Sequence, residues 1–317
     1  MGTRAEAGSG CPEVVGLGYC SWDYLGIVEH IPSFDSPTVS LDSFAMSGGG
    51  PVATALVALA KLGTHTGYIG TIGNDQAGLQ VKGAFEEEGV DLLRMRLQKG
   101  ARSDICVVLV QAGTGARSIL CYRGTRSDVQ LQRADRRYVT TARFLHLDGH
   151  HMQAAITAAQ WMREAGGTVV LDANKARPRM EQLLPWVDVL ITNAGFPAAY
   201  TGKTDLAESA RLLLKGGVQL VVTTLGENGC ACFREGTSVH VPGFAVPVAD
   251  TTGAGDAFHG AFIYGLLRSW TVQRTAMFAN AVAAINCTAL GGRAALPTLP
   301  QAVSFLRSSG RWDRPET

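Results

Sequence analysis

Strand-length apolar runs alternate with longer amphipathic runs through most of this 317-residue chain, and that rhythm constrains the fold more than any single motif. Residues 14–17, 65–69, 144–147, 168–172, 187–191 and 220–224 are short, apolar and strand-like. Between them, 51–62, 152–164 and 205–215 carry apolar side chains at helical spacing, the first opened by Pro51 and the last by an Asp205-x-x-Glu208 box. Strands joined through helices run parallel, because only a crossover connection returns the chain in the same direction. The pattern predicts an α/β fold with a mostly parallel sheet. In such sheets ligands sit beyond the carboxyl ends of the strands, which places Asp172, Asn174, Asn193, Thr224 and Gly226 near one candidate site. Loop and capping duty is the alternative reading for each of them.

Two regions break the rhythm. Residues 23–44, and 104–122 with the turn Gly113-Thr114-Gly115, read as strands without intervening helices. They predict a small antiparallel sheet in which 106–110 and 118–122 form a hairpin.

Composition restricts the partners. A chain with 46% hydrophobic and 17% charged residues can bury a sizeable core in one large domain. A net charge of +1, from 28 basic and 27 acidic residues, leaves no footprint for nucleic acid or anionic lipid, so small molecules are the expected partners. No apolar run approaches the ~20 residues of a membrane span, and the first dozen residues lack a signal-peptide core, which predicts a cytoplasmic protein. Seven cysteines without a C-x-x-C pair predict neither a disulfide framework nor a zinc ribbon. His150 and His151 are adjacent and point apart, so they do not predict a shared metal. Asn286-Cys287-Thr288 has the form of a glycosylation acceptor but reads as helix sequence.

The chemistry concentrates in Asp250-Thr251-Thr252-Gly253-Ala254-Gly255-Asp256. Apolar residues recur from Phe258 at helical spacing, through Ala261, Phe262, Gly265 and Leu266, so a helix starts within Gly-Ala-Gly. Its free amides and dipole make an anion site, and small residues let an oxygen approach the backbone closely. Asp256 then stands in the first turn. It is either an acidic residue placed there for the dipole, or a general base that takes a proton while the Gly253–Gly255 amides hold charge on a transferring phosphoryl group. Asp250, just outside the helix, could orient a cation.

The segment 250–262, DTTGAGDAFHGAF, resembles the C-terminal signature of the PfkB/ribokinase family of sugar and nucleoside kinases. Ser47-Gly48-Gly49-Gly50-Pro51-Val52-Ala53-Thr54, running on to Lys61-Leu62-Gly63, resembles that family's glycine-rich substrate motif. The resemblance covers about 13–306. It implies a ribokinase-like three-layer α/β/α sandwich with a mostly parallel central sheet and a small β-sheet lid from about 23–46 and 103–124. One kinase domain would span 13–317, preceded by a disordered tail over 1–12.

The activity implied is transfer of the γ-phosphate of ATP, with Mg2+, to a hydroxymethyl group of a small ribose- or fructose-like sugar. By resemblance Asp256 is the base, and Gly253, Ala254 and Gly255 form the anion hole. Asp23, Gly48, Gly49, Gly50 and Thr54 line the acceptor site with Asp256, while Asn193, Thr224, Gly226, Thr252, Gly253, Gly255 and Asn280 hold the nucleotide. Asp250 and the backbone near Gly291 resemble the monovalent-cation loop of some relatives, which implies a K+ site, and the lid implies a homodimer. Gly48–Gly50 also read as a flexible entry to the helix that begins at Pro51. Thr54 stands where the family often has Asn. Phe196 stands where several relatives carry a Glu linked to magnesium, so the metal is expected mainly on the nucleotide phosphates.

Gly-Gly-Gly-Pro and the segment 287–297, with Gly291-Gly292-Arg293-Ala294, resemble a branch that includes sulfofructose kinase. A sulfonate needs fixed cationic donors, and 23–44 contains no Lys or Arg. Arg102, Arg117, Arg123, Arg126 and Arg293 keep an anionic acceptor open. An uncharged furanose or ketose is the first expectation. A nucleoside is the alternative, with Trp22, Tyr24 and Phe44 as candidate base platforms. Two other classes compete. Gly16-x-Gly18 resembles the start of a dinucleotide loop, but Ser21 takes the third glycine position and strand follows where a helix is required. Gly202-Lys203-Thr204 looks like the end of a phosphate loop with Pro197 at its first glycine. A non-catalytic sugar-binding regulator is disfavoured by the intact Asp256 and its glycines.

Overall fold

The structure, a computed structural model, describes residues 10–312; residues 1–9 of the expected N-terminal tail lie outside them. The chain enters through β1 (Val14–Leu17) and turns out at once into β2 (Ser21–Val28) and β3 (Ser43–Gly49). It returns through α1 (Pro51–Lys61), β4 (Thr66–Gly73), α2 (Gln76–Glu87) and β5 (Asp91–Gln98). A second excursion forms β6 (Ile105–Gln111) and β7 (Arg117–Tyr122). Regular alternation then runs through α3 (Arg133–Thr141), β8 (Phe144–Leu147), α4 (Met152–Glu164), β9 (Thr168–Ala173), α5 (Met180–Leu183) and β10 (Val189–Asn193). It continues with α6 (Phe196–Thr201), α7 (Leu206–Lys215) and β11 (Leu220–Thr224). A hairpin of β12 (Cys230–Arg234) and β13 (Thr237–Val241) precedes α8 (Ala254–Leu267), α9 (Val272–Asn286) and α10 (Leu299–Ser308).

Nine strands form the main sheet in the order β13-β12-β11-β10-β9-β8-β1-β4-β5. It is parallel from β11 to β5, and β12 and β13 are antiparallel at one edge. Successive side chains of a strand point to opposite faces, and here both faces are dry. Val14, Val170, Ile191 and Val222 pack with α1, α2, α8, α9 and α10. Val15, Leu17, Val169, Leu171, Leu190 and Val221 pack with α3, α4, α5, α6 and α7. Two helical layers on a strand sheet make the three-layer arrangement, and they explain why these strands read as unbroken apolar runs. Among the described residues no helix is long and apolar enough to cross a membrane.

The small sheet has the order β3-β2-β6-β7. Its β6–β7 hairpin pairs Cys106 with Cys121 and Val110 with Arg117, in the region expected. It is mixed, however, and not antiparallel: β2 and β6 run parallel. Both follow strands of the parallel part of the main sheet, β1 and β5, which flank β4, so both leave from the same carboxyl edge and head outward in one direction. A second difference concerns the glycines. Gly48 and Gly49 end β3, paired with Trp22 and Ser21, so only Gly50 serves as the entry to α1. Register puts Asp23, Ser47, Cys106 and Cys121 on one face and Tyr24, Met46, Val107 and Leu120 on the other. On the first face Leu25, Cys106, Val108 and Val110 form a separate small core.

Gly16 shows how closely α1 lies on β1. A Cβ there would stand 2.6 Å from Val52 Cγ1 and 2.7 Å from Leu56 Cδ1. Close helix packing thus accounts for this glycine without a dinucleotide. Gly16→Ala is expected to destabilise the fold by about 1–3 kcal/mol through overpacking, read as a lower urea midpoint at unchanged slope. An unchanged midpoint would contradict this packing.

Candidate active site

The site is assembled at the carboxyl ends of the central strands, where the amino terminus of α8 meets the small sheet. Gly253 caps α8 with φ 72°, and a Cβ on it would lie 2.6 Å from both Cα and O of Gly292. Positive φ and this backbone approach together require glycine. The Ala254 amide turns back to the Thr251 carbonyl (3.3 Å), and the amides of Gly255 and Asp256 follow it in the first turn, at the positive end of the dipole. The loop is held by Asp250, which is fully buried: its Oδ1 accepts from the Thr252 amide (2.8 Å) and its Oδ2 from the Gly291 amide (2.9 Å). Asn286 Nδ2 donates to the Thr252 carbonyl at 3.2 Å.

Asp256 stands in the first turn of α8, half-buried. Its carboxyl is pushed up to about 6, by desolvation first, against the pull of the Arg117 and Arg293 guanidiniums and with the repulsion of Asp148 and Asp23. Arg117 belongs to β7 and donates through Nη1 to Thr251 Oγ1, which in turn donates to the Gly115 carbonyl (3.2 Å). The tip of the small-sheet hairpin therefore rests on the loop that leads into α8.

Asp23, on the inner face of the small sheet, is buried. Its Oδ1 accepts from Ser21 Oγ at 2.6 Å. Burial raises its carboxyl, opposed by Ser21, Arg293 and Cys106. The glycines fit around it. A Cβ on Gly49 would lie 1.9 Å from Asp23 Oδ2, and one on Gly48 would lie 2.4 Å from Arg293 Nη1. Arg293, also buried, donates through Nε to Thr54 Oγ1 (3.2 Å) and through Nη2 to the Gly49 carbonyl (3.2 Å). Thr54 thus orients an arginine. Behind Asp23, Cys106 Sγ lies 2.7 Å from Cys121 Sγ, and both are free cysteines.

The strand-end carboxylates are more numerous than the sequence reading recognised. Asp148, directly after β8, accepts from the amides of Tyr19 (2.7 Å) and His150 (2.9 Å). Burial pushes this carboxyl up, but His150 and those amides outweigh it and hold it well below the usual range. Asp172, at the end of β9, has no such donors among the described residues, and His259 Nε2 stays 3.7 Å away. Burial and the charges of Asp256 and Asp148 raise it well above the usual range. Burial likewise keeps His146 (about 4) and His259 neutral. The strand-end rule that selects Asp172 also selects Asp148; the histidines carry no comparable sequence signal.

The arginines near the second excursion separate. Arg126 pairs with the buried Asp104 at 2.7 Å. Arg123 lies over the Tyr19 ring and approaches His150 Nε2 (3.4 Å), which Arg177 also reaches (3.0 Å). The Arg102 amide donates to Thr125 Oγ1 (2.9 Å).

The residues expected around the nucleotide form a second group. Asn193 and Thr224 are paired at the ends of β10 and β11. Asn193 Oδ1 accepts from the amides of Gly195 and Phe196 and so caps α6, while its Nδ2 donates to Asn174 O. Gly226 opens a single turn with φ 61°. Asn280 donates to the carbonyls of Val241 and Pro242, tying α9 to the end of β13. Phe196 is buried and stacks on Tyr200, so its place is in the core. Among the described residues no group of three or more His, Cys, Asp or Glu could hold a metal ion. A cleft of about 690 Å3 between α7 and the β12–β13 turn contains none of these groups.

Comparison with known proteins identifies the family and the fold. The family model of pfkB family carbohydrate kinases matches residues 12–299. A ribokinase from Haemophilus influenzae is 28% identical over 87% of this chain and 93% of its own length. An ATP-dependent ribose-1-phosphate kinase from Halopiger xanaduensis is 31% identical over 95% of this chain and 99% of its own. The solved structure of Arabidopsis thaliana ribokinase complexed with ribose and ATP superimposes with a TM-score of 0.82 at 25% identity, covering 94% of this chain and 99% of that one. The ribokinase-like sandwich is therefore the fold of this protein. The chain belongs to the pfkB family of carbohydrate kinases, phosphotransferases with an alcohol group as acceptor.

Proposed function

We propose that this kinase, acting as one domain over 13–317, transfers the γ-phosphate of ATP to a hydroxymethyl group of a small uncharged sugar. The observation that carries the reading is the position of Asp256, in the first turn of a helix that starts at a glycine cap, at the positive end of the helix dipole. The acceptor hydroxyl gives its proton to the Asp256 carboxylate while its oxygen forms the new bond to phosphorus. The bond between the γ-phosphorus and the β–γ bridging oxygen breaks, and ADP leaves. The amides of Gly253 and Gly255 hold the charge on the transferring group, and Ala254, whose amide turns back to the Thr251 carbonyl, adds only a small side chain beside them. Asp23, acceptor-only when ionised, takes donation from acceptor hydroxyls beside Gly48 and Gly49. The nucleotide lies across the ends of β10 and β11, near Asn193, Thr224 and Gly226. Magnesium supplies charge neutralisation on the phosphates. No step is assigned to a potassium ion; the role of Asp250 in the mechanism is to hold the loop through the amides of Thr252 and Gly291.

A sugar is preferred to a nucleoside because the candidate base platforms are misplaced. Trp22, Tyr24 and Phe44 belong to the outer register rows of the small sheet, opposite the face of Asp23. A sugar phosphate is the second acceptor to test. Arg123 and Arg177 converge on His150 without a carboxylate partner among their described ion pairs, and one relative is named a ribose-1-phosphate kinase. The small sheet is read as a lid. Its outer face exposes Phe44, Met46, Val107 and Leu120, an apolar surface that a second copy would cover.

A panel of D-ribose, D-fructose, their phosphate esters and adenosine tests the acceptor by ATP-dependent phosphate transfer. Asp256→Asn is expected to lower kcat by at least ~10²-fold with little change in ATP affinity. Equal turnover would remove Asp256 from the chemistry, sugar binding without turnover would favour a regulator, and nicotinamide reduction would favour an oxidoreductase.

The base must be ionised, so kcat/KM should fall as pH drops through about 6. Arg117→Met removes a cation that favours the ionised form, so this acidic limb should move to higher pH; a downward move would contradict the assignment. Sedimentation should give a dimer that Met46→Glu with Leu120→Glu converts to the 33.5 kDa chain. A wild-type monomer would count against the covered face.

A further inference from the structure

Cys106 and Cys121 stand opposite each other on β6 and β7, and their Sγ atoms lie 2.7 Å apart. Both are free thiols, and neither enters a step of the proposed reaction. Register sets Ser47, Asp23, Cys106 and Cys121 side by side across the inner face of the small sheet. The two thiols differ in access: Cys106 is 5% exposed, whereas Cys121, on the edge strand β7, is open to solvent. Cys230 and Cys232 also share a strand face, but both are buried, which closes that pair to a reagent. Cys106 supports the acceptor carboxylate from behind. Burial raises the Asp23 carboxyl, opposed by the hydrogen bond of Ser21, the charge of Arg293 and the hydrogen bond of Cys106.

We infer that Cys106 and Cys121 are a modification site beside the acceptor carboxylate, closed into a reversible disulfide by a low-molecular-weight disulfide such as glutathione disulfide. The inference rests on the kinase reading for its effect on the sugar; the bond itself depends on the hairpin alone. Directly opposed residues of antiparallel strands have Cα atoms about 4.5–5.5 Å apart, within the span of a disulfide, so the hairpin accepts the bond without rearrangement. The exposed Cys121 reacts first: its thiolate attacks one sulfur of glutathione disulfide, that S–S bond breaks, and one glutathione thiolate leaves. Cys106 then gives its proton to solvent while its sulfur attacks Cys121 Sγ; the mixed bond breaks and the second glutathione leaves. Two protein thiols are oxidised, and one glutathione disulfide is reduced to two thiols. Burial pushes the Cys106 thiol up, which slows the second step, and its intramolecular geometry offsets that. The proposed dimer face, with Met46 and Leu120, lies on the other side of the sheet, so a second copy leaves Cys121 open. Oxidation removes the S–H of Cys106, and Asp23 loses one of the groups that keep it ionised and acceptor-only.

The test treats the full chain with glutathione disulfide and reads its intact mass, a peptide map, and kinetics with D-ribose and D-fructose. The chain should lose two hydrogens, and the peptides that hold Cys106 and Cys121 should be linked. KM for the sugar that the untreated enzyme phosphorylates should rise about three- to tenfold, the scale of one lost hydrogen bond to a charged group. KM for ATP should change less than about twofold, because uniform damage to the fold would affect both ligands. Dithiothreitol should restore the mass and the sugar KM together. Cys121→Ser should start with the wild-type KM and keep it in glutathione disulfide, since it cannot take the first step. Free thiols at Cys106 and Cys121 after treatment, or glutathione held on Cys121 with no link, would overturn the inference. A closed link with unchanged sugar KM would overturn its effect on Asp23 and leave the kinase reading standing. A wild type that phosphorylates neither sugar would count against the kinase reading, and the mass and map would still decide the link.

Discussion

Two backbone amides, of Thr252 and Gly291, converge on the buried carboxylate of Asp250, and most of the site depends on that convergence. A buried carboxylate is tolerable only when donors replace its lost water, so the two loops that supply the donors are drawn together. One loop turns into α8 and sets where its free amides point. The other continues through Gly292, whose backbone leaves no room for a side chain on Gly253, and delivers Arg293 to the glycine strand of the small sheet. One side chain distant in sequence from Gly48 thereby joins the loops around the α8 terminus to the glycine strand.

The small sheet is held against that centre from two directions. Arg293 grips it through the Gly49 carbonyl, and the β6–β7 hairpin grips the α8 loop through Arg117 and Thr251. Both arginines favour the ionised form of Asp256, while burial and the neighbouring carboxylates oppose it. A carboxyl raised to about 6 follows from this balance. Asp148 and Asp172 divide by their donors: the first has amides that hold its carboxyl well below the usual range, and the second has none among the described residues, so burial raises it.

Much of this was legible in the residues. Strands 14–17, 144–147 and 220–224 and helix 152–164 coincide with the elements found, because alternating dry strands and amphipathic helices have distinct periods. The α8 start at Gly-Ala-Gly was legible for the same reason, and Asp205 caps α7 as its box implies. The direction of β2 against β6 was not, since local patterning says nothing about where a strand leaves the main sheet. Nor was Thr54, whose partner lies 239 residues away. Contacts of that kind are made by the closed fold and leave no spacing to read. His146 and His259 fall in the same class, being ordinary core positions until the fold sets them near Asp172.

The central claim is that the α8 terminus, Asp256 and Asp23 form one phosphoryl-transfer centre. It is tested most directly by following the γ-phosphorus of ATP by 31P NMR with and without a neutral sugar. The account predicts a new phosphate monoester, equal in amount to the ADP formed and absent when sugar is withheld. ATP cleaved only to inorganic phosphate, at a rate indifferent to sugar, would contradict it.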